Sequence, residues 1–227
     1  FNFYRKNFPI IGNRALLYHA FGTKLKHDTY GISMELSKFK EQINFYSDNY
    51  NIINIRDYYL ADNESLAITI DDGYKDNLDA IEILDKKNIP FTLYVTTNSI
   101  GKNNYLSEND IFSISNLGIS TIGSHGCSHS RLSTLTNEKI NTELKESKKV
   151  LEKITQTQID TLSYPHGSYN NFVIDAAKKI GYKYAASSNK GINSRTTDNY
   201  LLRRSEIIQS DTINMIMKKI NGYYDYY

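Results

Sequence analysis

Leu66-Ala-Ile-Thr-Ile-Asp-Asp-Gly-Tyr74 runs five apolar or β-branched residues directly into two carboxylates and a glycine. A short apolar run of this kind reads as a strand buried on both faces, as in a parallel sheet. The glycine lets the backbone turn sharply at its end. Successive side chains on a strand face opposite ways, so Asp71 and Asp72 do not both point in one direction. One can reach a cation while its neighbour stays free as a base, the cation and their mutual repulsion setting the two protonation states apart. Taken alone, Asp-Asp-Gly suits an ordinary solvated turn better than a site.

The same alternation of short β-like runs and longer amphipathic ones continues along the chain. The pattern predicts strands over Ala15 to Tyr18, Ile52 to Ile55, Leu66 to Ile70, Phe91 to Val95, Thr121 to Gly123, Thr161 to Tyr164, Tyr184 to Ser187 and Leu202 to Ile207. Helical stripes lie between them: Leu36, Phe39, Ile43; Leu78, Ile81, Leu84; Ile111, Ile114, Leu117; Ile140, Leu144, Leu151; Phe172, Val173, Ala176, Ile180. Thr136 suits an N-cap and Gly181 a left-handed C-terminal cap. The fold class expected is α/β, an irregular or incomplete (β/α) barrel of about seven or eight parallel strands. The chain has 227 residues and no repeat or Pro/Gly/Ser linker, so residues 1–227 are expected to form a single domain.

In such a barrel, side chains at the carboxyl ends of the strands converge on one face. Four predicted strands deliver acids or imidazoles there: His19 after Tyr18, Asp71 and Asp72 after Ile70, Ser124 and His125 after Gly123, Pro165 and His166 after Tyr164. His125 and His129 are four apart, which on a helical turn places both rings on one face. With Asp72 they make a two-histidine, one-carboxylate set that leaves positions open for water and substrate. Metal binding is the better reading of that pair; two surface histidines near a cap are the alternative. Cys127, between them, would crowd the pair as a ligand and reads as buried and unreactive. In Leu162-Ser-Tyr-Pro-His-Gly-Ser168, the N–H of the residue after Pro165 is left to serve as an oxyanion donor or merely to sit in a strand-to-loop turn.

Composition narrows the partners. Lys and Arg total 27 against 25 Asp and Glu, and a net charge of +2 provides no long-range field for nucleic acid or an anionic membrane. The single cysteine forms no internal disulfide. No stretch approaches the roughly 20 apolar residues of a membrane span, and the opening FNFYRKNFPIIGNRALLYH lacks the apolar core of a signal peptide. The 19 tyrosines offer rings for sugar faces, but with 3 prolines and no tryptophan they fit a compositional bias better.

Taken together, these motifs resemble the NodB-like polysaccharide deacetylases, the fourth carbohydrate esterase family. Thr69-Ile-Asp-Asp-Gly-Tyr74 is similar to the family's first motif and His125-Gly-Cys-Ser-His129 to its His-Ser/Thr-x-x-His second. The likeness runs from about Leu16 to Ile220. Tyr18-His19, the segment Phe39 to Ile55 and the Tyr164-Pro-x-Gly167 form are closer to the branch acting on poly-N-acetylglucosamine. The resemblance implies Asp71 as the catalytic base, Asp72, His125 and His129 as ligands of one divalent ion, zinc first with nickel or cobalt as alternatives, and an N-acetylated glycan as substrate. It leans towards a place outside the cytoplasm or at the cell envelope, with the cytoplasm as the alternative.

Three departures stand out. Gly126 replaces the Ser or Thr of the second motif, Ser163 replaces the third-motif arginine that orients the aspartate, and arginines around Leu201-Leu-Arg-Arg204 replace the late Leu-x-His that supplies the general acid. Arg203 or Arg204 is then the candidate for orienting Asp71, and His166 or His19 for the acid. An amine leaves an amide only when protonated, whereas an alkoxide leaves an ester with less help. Loss of the acid would therefore favour an O-acetyl ester. A non-sugar amide hydrolase, or a catalytically silent carbohydrate-binding protein on the same fold, are the other competitors; retention of a base beside a metal set weighs against silence.

Overall fold

The structure, a computed structural model, describes residues 12–26, 28–60 and 64–225. The opening segment read for a leader, as far as residue 11, and the closing Tyr226 and Tyr227 lie outside the described residues. In chain order the elements are β1 (Asn13–Tyr18), α1 (Leu36–Asn49), β2 (Asn51–Ile52), β3 (Ser65–Ile70), α2 (Asn77–Lys86), β4 (Phe91–Val95), α3 (Glu108–Ser115), β5 (Ser120–Ser124), α4 (Asn137–Thr155), β6 (Thr161–Ser163), α5 (Asn171–Ile180), β7 (Tyr184–Ala186), β8 (Arg204–Glu206) and α6 (Ile213–Ile220).

Seven strands follow the order β7-β6-β5-β4-β3-β1-β8, every pair parallel, and the short β2 adds to the start of β3. The two ends of the path nearly meet. Ala186 bridges to Leu202 just before β8, and the Ser187 N–H donates to the Leu202 carbonyl at 2.7 Å. The result is a nearly closed barrel of seven parallel strands with helices around it.

Two apolar layers follow from the strand alternation. Leu16, Tyr18, Leu66, Ile68, Ile70 and Leu93 face outward onto Phe39, Ile43, Ile81, Leu84 and the other helix stripes. Ala15, Ala67, Tyr94, Ala186 and Leu202 fill the inside with Ile55 and Tyr58. The interior is narrow: a Cβ on Gly123 would stand 2.5 Å from the Tyr94 ring, so glycine there makes room for it.

The caps behave as their residue types dictate. The Thr136 hydroxyl accepts from the Lys139 N–H at the start of α4, and Gly181 ends α5 at φ +95. One predicted strand is corrected. Ile52 to Ile55 pairs only over Asn51–Ile52, because Asn54 starts a 3₁₀ turn over Ile55–Leu60, its side-chain carbonyl accepting from the Arg56 N–H at 3.1 Å. That turn drives Ile55 and Tyr58 into the barrel floor. The eight-residue α6 carries too short a stripe to stand out in the sequence.

Candidate active site and metal centre

At the carboxyl end of β3 the two aspartates part as the strand geometry requires. Asp72 turns into the left-handed region at φ +75, a conformation short polar residues tolerate, and Gly73 follows at φ +79. Asp71 continues the inward face of Ala67 and Thr69 and is buried.

Arg204 meets Asp71 there. Its two terminal nitrogens donate to Oδ1 at 2.7 Å and Oδ2 at 2.8 Å, a forked charge-assisted pair. The same guanidinium donates to the Ser163 hydroxyl at 2.7 Å and, through Nε, to the Ser187 carbonyl at 3.0 Å, and it lies 5.4 Å from the Tyr94 ring centroid. The Ser163 hydroxyl completes the cradle, 3.0 Å from Asp71 Oδ2. Burial pushes the Asp71 carboxyl up, but Arg204 and then His125 outweigh it and hold it below the ordinary carboxylate value. Arg203 takes no part: it is exposed, with its side chain against Gly191. Neighbouring residues of a strand face opposite sides, so only Arg204 looks into the barrel.

Asp72, His125 and His129 come together, one ligand atom from each lying within 4.8 Å of the others. His125 Nε2 is 3.4 Å and His129 Nε2 3.2 Å from Asp72 Oδ1, a buried oxygen with no hydrogen-bond partner. The Nδ1 of His125 lies 2.9 Å from the Ser163 carbonyl, which only accepts, so the ring proton is on Nδ1 and the Nε2 lone pair faces the carboxylates. Burial lowers the His125 pKa to about 4, in spite of Asp71 and Asp72, so the ring is neutral near pH 7. A lone pair directed at an orphaned carboxylate oxygen is repulsive unless a cation lies between them. This donor set therefore fits a divalent ion, with a carbonyl orienting one imidazole from behind.

The backbone joining the two imidazoles differs from expectation. Residues 125–129 are not a helical turn: Gly126 at φ +71 and His129 at φ +59 curl the chain back as a loop. The expected proximity is achieved by two left-handed residues instead of helical periodicity. Cys127 is buried, its thiol donates to the Glu143 carbonyl at 3.3 Å, and burial raises its pKa.

His166 and His19 both lie near the set. The His166 ring packs on His129 at 4.4 Å between centroids, and its Nε2 is 3.2 Å from the His129 carbonyl, to which it must donate. Burial first, then His129 and Arg131, lower its pKa. In its turn the Tyr164 and Pro165 carbonyls accept from Gly167 and Ser168, leaving the His166 N–H outside these hydrogen bonds. His19 follows β1 and is among the groups that help hold both aspartates below the ordinary carboxylate value. Its Nδ1 is buried without a hydrogen bond, 3.8 Å from a Glu206 carboxylate oxygen. Glu206 was not singled out from the sequence, yet it stands two residues beyond Arg204, so alternation along β8 brings both into the barrel. Asp72, His129 and His166 all hold positive φ without being glycine, a backbone strain that concentrates at functional sites.

At the carboxyl rim of this parallel barrel, an acid and two imidazoles that could hold a metal ion stand beside a buried, arginine-clamped aspartate. Residues 61–185 match the polysaccharide deacetylase family, and the chain belongs to it. The YxkH protein of Bacillus subtilis, named for the same family, is 35% identical over 143 residues, covering 63% of this chain and 51% of its own length. The poly-β-1,6-N-acetyl-D-glucosamine N-deacetylase of Staphylococcus aureus is 25% identical over 160 residues, 64% of this chain and 54% of that protein. The chain thus spans about half the length of these curated relatives. A crystal structure of a Bacillus anthracis protein assigned to the polysaccharide deacetylases superposes with a TM-score of 0.82 at 27% identity, covering 92% of this chain and 69% of that one. IcaB from Ammonifex degensii shares the fold, with a TM-score of 0.80 at 16% identity over 93% of this chain and 97% of the other. The matched span begins after His19 and ends before Arg204, so the family match covers neither residue. Among the described residues no helix is long and apolar enough to cross a membrane.

Proposed function

We propose that the chain, as a single domain over residues 1–227, hydrolyses acetamido groups of an N-acetylated glycan, with poly-N-acetylglucosamine the first substrate to try. The observation that carries the reading is the placement of Asp71: a buried, ionised carboxylate with Oδ2 3.7 Å from Nε2 of His125, itself one of three converging metal donors. Asp72, His125 and His129 would hold a divalent cation, zinc in the first instance, and when bound it would supply Lewis-acid polarisation of the acetyl carbonyl.

Asp71 takes the proton of the attacking water. Arg204 and Ser163 keep its carboxylate ionised and aimed, so it acts through position more than through strong basicity. The His166 N–H donates to the oxygen of the tetrahedral adduct. His19 protonates the departing amine. It is preferred over His166 because the Nε2 hydrogen of His166 is engaged on the His129 carbonyl, whereas His19 Nδ1 has no hydrogen bond and lies 3.8 Å from a Glu206 carboxylate oxygen. The S. aureus relative named for poly-β-1,6-N-acetyl-D-glucosamine supports the choice of glycan.

The test is acetate release from N-acetylglucosamine oligomers by the zinc-loaded chain, beside Asp71→Asn. Turnover by the wild type and none by the variant at equal metal content is expected. An active Asp71→Asn variant would remove the assigned base, and release from O-acetyl esters alone would move the substrate to the ester class.

A further inference from the structure

We infer that Glu143, on α4, is a positioning residue that holds the loop between the two imidazoles and thereby sets His129 against Asp72; the inference rests on the metal reading of this site. Glu143 touches no ligand atom. Its Oε2 accepts from the N–H groups of Cys127 at 2.8 Å and Ser128 at 2.9 Å, and its Oε1 accepts from the Ser128 hydroxyl at 2.6 Å. One carboxylate thus takes two consecutive backbone donors and a side-chain donor, all charge-assisted.

The other face of the loop is held as well. The Gly126 and Cys127 carbonyls accept from the N–H groups of Thr97 at 3.1 Å and Asn98 at 2.9 Å, just beyond β4. Four residues on from Glu143, on the same face of α4, Ser147 shares a hydrogen bond of 2.7 Å with Ser124, whose hydroxyl accepts from the Gly126 N–H at 3.1 Å. The loop is therefore clamped between the β4 exit and α4, a 19-residue helix anchored by buried Ile140, Leu144 and Leu151.

The clamp is needed because the loop is strained and short of intrinsic structure. It carries two left-handed residues, one of them His129 itself, and an unrestrained backbone would lose conformational freedom on being fixed for metal binding. Glu143 also lies against Gly126. A Cβ there would stand 3.2 Å from Glu143 Oε2, a tight contact, at a residue whose φ of +71 already favours glycine.

The experiment compares wild type, Glu143→Ala and Glu143→Gln for zinc affinity by chelator competition, with thermal melting of the metal-free chains and hydrogen exchange at the Cys127 and Ser128 amides. Glu143→Ala should weaken zinc binding about tenfold to a hundredfold, as losses behind metal ligands do. It should also speed exchange at both amides, and Glu143→Gln, which keeps one accepting oxygen, should recover part of the loss. Unchanged zinc affinity in Glu143→Ala, with only a lower melting temperature, would overturn the inference by leaving Glu143 a purely structural residue. Should the wild type bind no zinc, the metal reading fails; unchanged exchange in Glu143→Ala would then defeat the clamp itself.

Discussion

Arg204 grips Asp71 with both terminal nitrogens, at 2.7 and 2.8 Å, in a pocket where neither side chain is more than 3% exposed. A buried ion pair adds little by existing, but removing one partner strands the other charge. Arg204→Met should therefore cost about 3–5 kcal/mol near pH 7 by chemical denaturation. The sign of the pH dependence follows from the direction of the shift. The Asp71 carboxyl is held below its ordinary 3.8 in the folded chain, so it contributes stability above that value and loses it as pH falls through the folded value. The gap between wild type and Arg204→Met should narrow below about pH 4. A gap that is the same at pH 7 and pH 3.5 would rule out the ion pair as its source.

How much of this was legible from residues alone divides along physical lines. The Leu66 to Tyr74 stretch was readable because a buried strand and a turn-forming glycine are local properties, and the barrel followed from repeating that pattern. The choice between Arg203 and Arg204 was not readable, since which side of a three-residue strand faces inward is set by its register against β1, where Ala15 pairs with Arg204. His125 and His129 come together through a different backbone from the one their spacing suggests. A spacing of four suits a helical turn, whereas Gly126 and His129 reach the same proximity through left-handed φ. Glu143 left no signal near the motif, because it arrives from a helix 15 and 16 positions away from the amides it holds.

The two flanking imidazoles should separate in kinetics. His19→Ala should lower amide deacetylation about 10²–10⁴-fold, the usual worth of a positioned acid, while slowing acetyl ester hydrolysis far less because an alkoxide needs less protonation to leave. His166→Ala keeps the backbone N–H and should cost less on both substrates. Parallel assays on N-acetylglucosamine oligomers and an aryl acetate check this, and equal losses on amide and ester in His19→Ala would take His19 out of the acid role.

Metal removal should be felt by the fold. Asp72 Oδ1 is buried and without a hydrogen bond, so a cation there binds the folded chain in preference to the unfolded one. Zinc at about a hundred times its dissociation constant should add about 2.7 kcal/mol, a rise of roughly 5–10 °C in Tm for a chain of this size. Differential scanning fluorimetry with and without chelator measures it. Asp72→Asn should lose most of the rise, and an undiminished rise in that variant would place the ion elsewhere.

The barrel interior makes the last prediction, because it links packing to the site. Gly123 faces Tyr94 and Thr161, with an added Cβ standing 2.5 Å from the ring and 2.8 Å from the Thr161 methyl group. Neither neighbour has room to yield: Tyr94 is fully buried, with its hydroxyl 3.0 Å from that of Thr161 and the Arg204 guanidinium over its ring. Overpacking of this kind costs about 1–3 kcal/mol. Gly118→Ala, at an exposed residue with nothing within 4 Å of the new methyl group, should stay within about 0.5 kcal/mol of wild type. Since Tyr94 underlies the guanidinium that aims Asp71, Gly123→Ala should also lower kcat for acetate release at temperatures where the chain remains folded. Full kcat in a destabilised Gly123→Ala chain would show that the ring can move without carrying Arg204 with it.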